Sequence, residues 1–114
     1  MGSNDIIDLD ELKEIMDNDM DLIKECFDEF RREWVDSFGD VAKAVENKDA
    51  SKLDEAAHKL KGTLRYLAAD QAQKAAYALE RAGKEKSLEN LDTKLASLEK
   101  RGVEVLNYID SFKE

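Results

Sequence analysis

One histidine, His58, stands in a chain of 114 residues. Imidazole is the side chain that can serve as nucleophile or proton carrier near neutral pH. Its neighbours at helical spacing are Asp54 and Glu55 one turn before it, Lys61 and Gly62 one turn after it, and Arg65 two turns after it. A glycine inside a helix costs about 1 kcal/mol relative to alanine. On a face turned from the core, packing gives no reason for it, whereas a bare backbone beside the imidazole leaves space for a partner surface. Lys61 and Arg65 can offset negative charge arriving at His58. A carboxylate of Asp54 or Glu55 can orient the ring and raise its basicity. The face therefore reads as a nucleophilic imidazole that receives an anion.

The helix that carries this face is legible from its apolar residues. Leu53, Ala57, Leu60, Leu64 and Leu67 cluster in an arc of roughly 80° when each residue turns the helix by about 100°. His58 lies about 130° from the centre of that arc, so it is predicted to face solvent in mid-helix. Similar stripes run through Met20, Ile23, Phe27, Phe30, Trp34, Phe38, Val41 and Val45, through Ala72, Ala75, Ala76 and Leu79, and through Leu88, Leu91, Leu95, Leu98, Val105, Ile109 and Phe112. Leu9, Leu12, Ile15 and Met16 predict a short leading helix. Asn18 or Asp19, Asp49 or Ser51 (with Asp54 in a loose capping box), Asp70 with Gln73, and Ser87 are candidate caps, and Gly83 a helix stop. The predicted helices span about 9–17, 20–46, 50–68, 71–83 and 88–112. Short connections make neighbours antiparallel. The expected fold is all-α: an antiparallel up-down four-helix bundle with a short N-terminal helix packed on it. Residues 1–4 are expected to be a flexible tail of the kind cloning leaves, and 5–114 the bundle domain.

Composition narrows the function. Lys and Arg number 18 and Asp and Glu 27, for a net charge of −9, which argues against a nucleic-acid binder and against an anionic membrane surface. Hydrophobic residues make up 42%, enough for a core, and there is no proline and only five glycines, which disfavours an all-β fold. The longest apolar run, Ala75 to Leu79, is far short of a membrane span. No signal-peptide pattern is present. Ile6 stands where a myristoylation start needs Ser or Thr. The lone Cys26 has no partner for an internal disulfide, and a cytoplasmic protein is expected.

Ala57-His58-Lys59-Leu60-Lys61-Gly62 resembles the A-H-x-L-K-G signature of the histidine-containing phosphotransfer (HPt) domain. Thr63 takes the small hydroxyl position that follows, Leu67-Ala68-Ala69 is similar to the family's L-G-A, and Leu79-Glu80 to its later L-E. The helix from Phe27 to Trp34 and the turn at Asn47-Lys48-Asp49 resemble the family's long helix and turn ahead of the histidine helix. Ala68 departs from the usual glycine, and Ala72 from a larger apolar residue; both bear on a turn and its packing. The resemblance spans about residues 5–114. It implies that His58 is the phosphoacceptor, taking a phosphoryl group from a receiver-domain aspartate and passing it on. It also implies that Lys61 helps neutralise the phosphoryl oxygens and that Gly62 admits the partner, while the residues themselves add Arg65 and Asp54 to the binding face. The implied protein is a phosphocarrier without kinase or ATPase activity and without a cofactor of its own, Mg²⁺ being supplied by the receiver. Receiver domains of response regulators are its implied partners, with a hybrid histidine kinase as a further candidate. A monomer is expected because every apolar stripe is used internally.

Three other readings compete. A helical adaptor would bind receivers or other signalling proteins without chemistry. A carboxylate-bridged metal site is formally suggested by Glu55-Ala56-Ala57-His58, but needs two such pairs facing inward. A histidine-kinase dimerisation domain usually has an acidic residue directly after its histidine, where this chain has Lys59. The aromatic stripe Phe27, Phe30, Trp34 and Phe38 reads as core, Cys26 as a small buried or half-buried hydrophobe, and Gly102 as a site of close helix contact. Tyr66 is a candidate for the docking surface.

Overall fold

The computed structural model describes residues 6–112, so the tail predicted at 1–4 lies outside the described residues. Among them are five helices and no strand: α1 (Leu9–Ile15), α2 (Met20–Glu46), α3 (Ala50–Tyr66), α4 (Asp70–Glu85) and α5 (Leu91–Ser111). At about 1.5 Å per residue the 27 residues of α2 span the 42 Å long axis of the molecule. The helices form a ring in which α2 packs on α3, α3 on α4, α4 on α5 and α5 back on α2. Along α2, Phe27 meets Phe112, Arg31 pairs with Asp110 and Trp34 meets Gly102, so α5 descends as α2 rises. Gly83, late in α4, lies against Ala50 and Asp54, early in α3, so this pair is antiparallel too.

Each stripe supplies the core as its period requires. Ile23, Phe27, Phe30, Trp34 and Val41 of α2, Leu53, Ala57, Leu60 and Leu64 of α3, Ala72, Ala76 and Leu79 of α4, and Leu98, Val105 and Ile109 of α5 are buried in one cluster. Phe38 and Cys26 are half-buried at its margin. Burial, then the nearby Glu29 and Glu25, push the Cys26 thiol above its ordinary pKa and keep it protonated. Ile15 is exposed rather than core, because α1 is only two turns long and its buried face is used by Leu12, with Met16 just beyond it.

The caps differ from the sequence reading in instructive ways. Asp19 and Asp49 cap α2 and α3 by accepting from the amides of Leu22 and Lys52, so Ser51 is left inside the helix. Asp70 is the first residue of α4 and not its cap, which falls to Ala69 without a side-chain bond. Gly83 is not a stop: α4 continues to Glu85 because Gly83 is buried against the backbone of α3, and Lys86 closes the helix in a left-handed conformation. Ser87 does not start α5. Asn90, also left-handed, precedes Leu91, so α5 begins three residues later than predicted.

Ala68 explains the departure from the family glycine in conformational terms. The amides of Ala68 and Ala69 donate to the carbonyls of Arg65 and Leu64, the paired bonds that end a helix through a left-handed residue. Ala68 is that residue, with φ of 56°. An L side chain there costs roughly 1–2 kcal/mol that glycine does not. Ala68→Gly is therefore expected to raise stability by about 1 kcal/mol in urea titration, the strain relief exceeding the entropy glycine returns to the unfolded chain. A loss of stability would mean that the buried methyl outweighs the strain.

Candidate functional site

The site is built on the middle of α3 and α4, the most extensively packed helix pair. His58 sits where the α3 register predicts, its side chain 66% exposed. Its Nδ1 lies 2.6 Å from Oε2 of Glu80, a residue of α4 that is itself only 1% exposed. The carboxylate that orients the ring is thus Glu80, and not Asp54 or Glu55 as sequence spacing suggested. The pattern held a signal for Glu80: it falls four residues after buried Ala76, within the apolar stripe of α4, where a lone acid needs partners.

Glu80 has those partners. Lys61 Nζ is 2.6 Å from Oε1, and Lys84 Nζ is 3.5 Å from Oε2. Burial alone would push the Glu80 pKa up, but pairing with Lys61 and His58 outweighs it and holds the carboxyl below its ordinary range. Glu80 is therefore ionised at neutral pH. An ionised carboxylate only accepts, so the hydrogen of the imidazole is placed on Nδ1 and Nε2 keeps its lone pair. Among the described residues no hydrogen bond engages Nε2.

Of the other predicted site residues, Lys61 is drawn in by Glu80 and also lies over the Tyr77 ring, 5.2 Å from its centroid. Arg81 lies on the same ring at 6.0 Å, and its side chain also pairs with Glu85. Gly62 is exposed, and a Cβ built there would meet nothing within 4 Å. Asp54 reaches Lys84 at 3.9 Å and not His58. Arg65 is separate from this cluster: it lines a hollow at the α1 end with Glu11, Glu14, Ile15, Asp70 and Gln73. Tyr66 is 60% exposed. Lys84 and Tyr77 were not singled out from the sequence, since their relation to His58 exists only across the helix pair.

For a metal, Asp8, Glu11 and Asp70 bring carboxylate oxygens within 4.8 Å of one another. Asp8 is already used as the cap of α1, accepting from the Glu11 amide, which accounts for its place there. Glu55, the partner His58 would need in a Glu-x-x-His site, lines a groove with Asp40 and Lys43 of α2. No described helix is long and apolar enough to cross a membrane.

The geometry is that of an exposed imidazole with one nitrogen held and the other free, beside a bare glycine and two lysines. No curated protein and no solved structure gives a match to the chain. The family model of the Hpt domain matches residues 25–113, which covers α3, α4 and α5 and most of α2. The chain belongs to the Hpt domain family, whose members are helical bundles that relay phosphoryl groups on a histidine in phosphorelays and are not kinases.

Proposed function

We propose that His58 accepts a phosphoryl group from the aspartyl phosphate of a receiver domain and passes it to another receiver. The observation that supports this most is the His58–Glu80 pair: a solvent-facing ring whose Nδ1 is tied to a buried anion at 2.6 Å. In the step itself the lone pair of Nε2 attacks phosphorus in line. The P–O bond to the aspartate breaks, and its electron pair returns to that carboxylate. Transfer of this kind depends mainly on positioning and on stabilising charge. Mg²⁺ and most of the activating groups belong to the receiver. This chain contributes the fixed nucleophile, the Lys61 ammonium and the clearance over Gly62. It acts in the cytoplasm, as a monomer, and needs no cofactor of its own.

The test is transfer from a panel of phosphorylated receivers, with Mg²⁺, to wild type and to His58→Gln. Acid-labile, alkali-stable label is expected on the wild type and none on the variant. If neither the receivers nor phosphoramidate label the folded wild type, the phosphocarrier reading is wrong and the bundle is an adaptor.

A further inference from the structure

The contact between Glu80 and His58 has consequences after the phosphoryl group has arrived. A phosphohistidine that is neutral at Nδ1 must expel an imidazolide anion when its P–N bond breaks. One protonated at Nδ1 releases a neutral imidazole. The second path is far easier, because the departing nitrogen is a much weaker base. Which path is open is decided by what faces Nδ1.

We propose that Glu80 keeps Nδ1 of phosphorylated His58 protonated at neutral pH, so that the chain carries its phosphoryl group in the labile, transfer-ready form. This rests on His58 being the phosphoacceptor. The 2.6 Å contact of Oε2 with Nδ1 leaves that nitrogen a single role, donation. The carboxylate cannot turn to offer a hydrogen of its own, because Lys61 and Lys84 hold it as an anion in a site only 1% exposed. A glutamine at this position could donate to the unprotonated ring and stabilise the inert form instead.

The charged groups around the ring come from two helices. Lys61 and Asp54 belong to α3 and Glu80 and Lys84 to α4, with Arg81 committed to Glu85 and Tyr77. On the other flank of α3, Asp40 and Lys43 of α2 face Glu55 and Lys59 across a groove. Lys61 and Lys84 oppose protonation of the ring, but they contact Glu80, whereas Glu80 contacts the ring itself.

The balance closes without an external acid. As His58 is phosphorylated, Nε2 gives its lone pair to phosphorus while the hydrogen on Nδ1 stays in place, leaving an imidazolium paired with Glu80. In release, the P–N electron pair returns to Nε2 as an acceptor oxygen bonds to phosphorus. With a receiver carboxylate as acceptor, no proton moves. With water, the products are the neutral imidazole, still carrying its Nδ1 hydrogen, and dihydrogen phosphate. Glu80 is thus a positioning residue that sets the transfer potential of the group His58 carries.

The experiment labels wild type and Glu80→Gln with phosphoramidate, removes the donor and follows loss of label against pH. In the wild type the fall from labile to stable is expected at a pH higher by about one unit or more, the size of shift an adjacent opposite charge produces. At pH above both midpoints the variant then holds its label up to about tenfold longer. Coincident profiles overturn the inference and leave the phosphoacceptor reading standing. No label on wild-type His58 overturns both. A second measurement needs no variant: ¹⁵N shifts of phosphorylated wild type report protonation at Nδ1. Loss of that proton at the same pH in the folded and the urea-unfolded chain would also refute it.

Discussion

Gly62→Gln is expected to slow transfer from receivers by about 100-fold while the protein stays folded and gains up to about 1 kcal/mol of stability. The gain follows from helix propensity, since a Cβ at position 62 meets nothing within 4 Å. The loss follows from the same space, which lies one turn from His58 on the exposed face of α3. A receiver that must bring its phosphoryl group in line with Nε2 has to cross that space. A displacement of about 1 Å is enough to cost two orders of magnitude. Labelling by phosphoramidate, a donor small enough to approach from another side, should fall far less. The check is the ratio of the two rates in one preparation, with urea titration alongside. Equal losses from both donors would place the defect in His58 itself, and an unchanged receiver rate would mean that docking does not pass over Gly62.

Gly83→Ala is expected to destabilise the fold by about 3 kcal/mol, the reverse of the usual effect of removing a glycine from a helix. The new Cβ would stand 2.6 Å from the Asp54 nitrogen and 2.7 Å from the Ala50 carbonyl oxygen. Both are backbone atoms of α3, so relief requires the two helices to part rather than a side chain to turn. The same movement would draw Glu80 away from His58, so phosphorylation should weaken along with stability. Gly39 supplies the comparison, because it is exposed on α2 with nothing within 4 Å of an added Cβ, and Gly39→Ala should stabilise by about 1 kcal/mol. Denaturant midpoints for the two variants, moving in opposite directions, are the measurement. A midpoint for Gly83→Ala at or above wild type would show that α3 and α4 can separate without penalty.

The Gly83 result also marks where the sequence was legible and where it was not. Apolar periodicity located all five helices and put His58 on the solvent side, because both depend on spacing within one helix. Gly83 was misread as a stop because its role depends on α3, which is thirty residues away in the chain. The orienting carboxylate was sought at Asp54 and Glu55 for the same reason: a single-helix pattern offers only neighbours on that helix. Glu80 answers to His58 across an interface that sequence spacing does not describe, although Leu79-Glu80 stood among the residues that carried the family resemblance. Lys86 was missed at its helix end because a left-handed lysine leaves little compositional trace, and Asn90 because Ser87, a competing cap residue, stands three positions before it. Gly102 was read correctly, because it lies on the core stripe of its own helix; a Cβ there would stand 2.0 Å from the Trp34 ring.

The amide of Asp8 donates to the carbonyl of Ala68 at 2.9 Å, which ties the chain ahead of α1 to the turn between α3 and α4. That bond stands outside the helical ladders, so it can break while every helix keeps its own. Local opening of the turn would then expose one backbone hydrogen to exchange with solvent long before the bundle unfolds. Asp8 thus acts as a gauge, near the start of the sequence, of whether that segment stays docked on the turn between the two helices that hold His58 and Glu80.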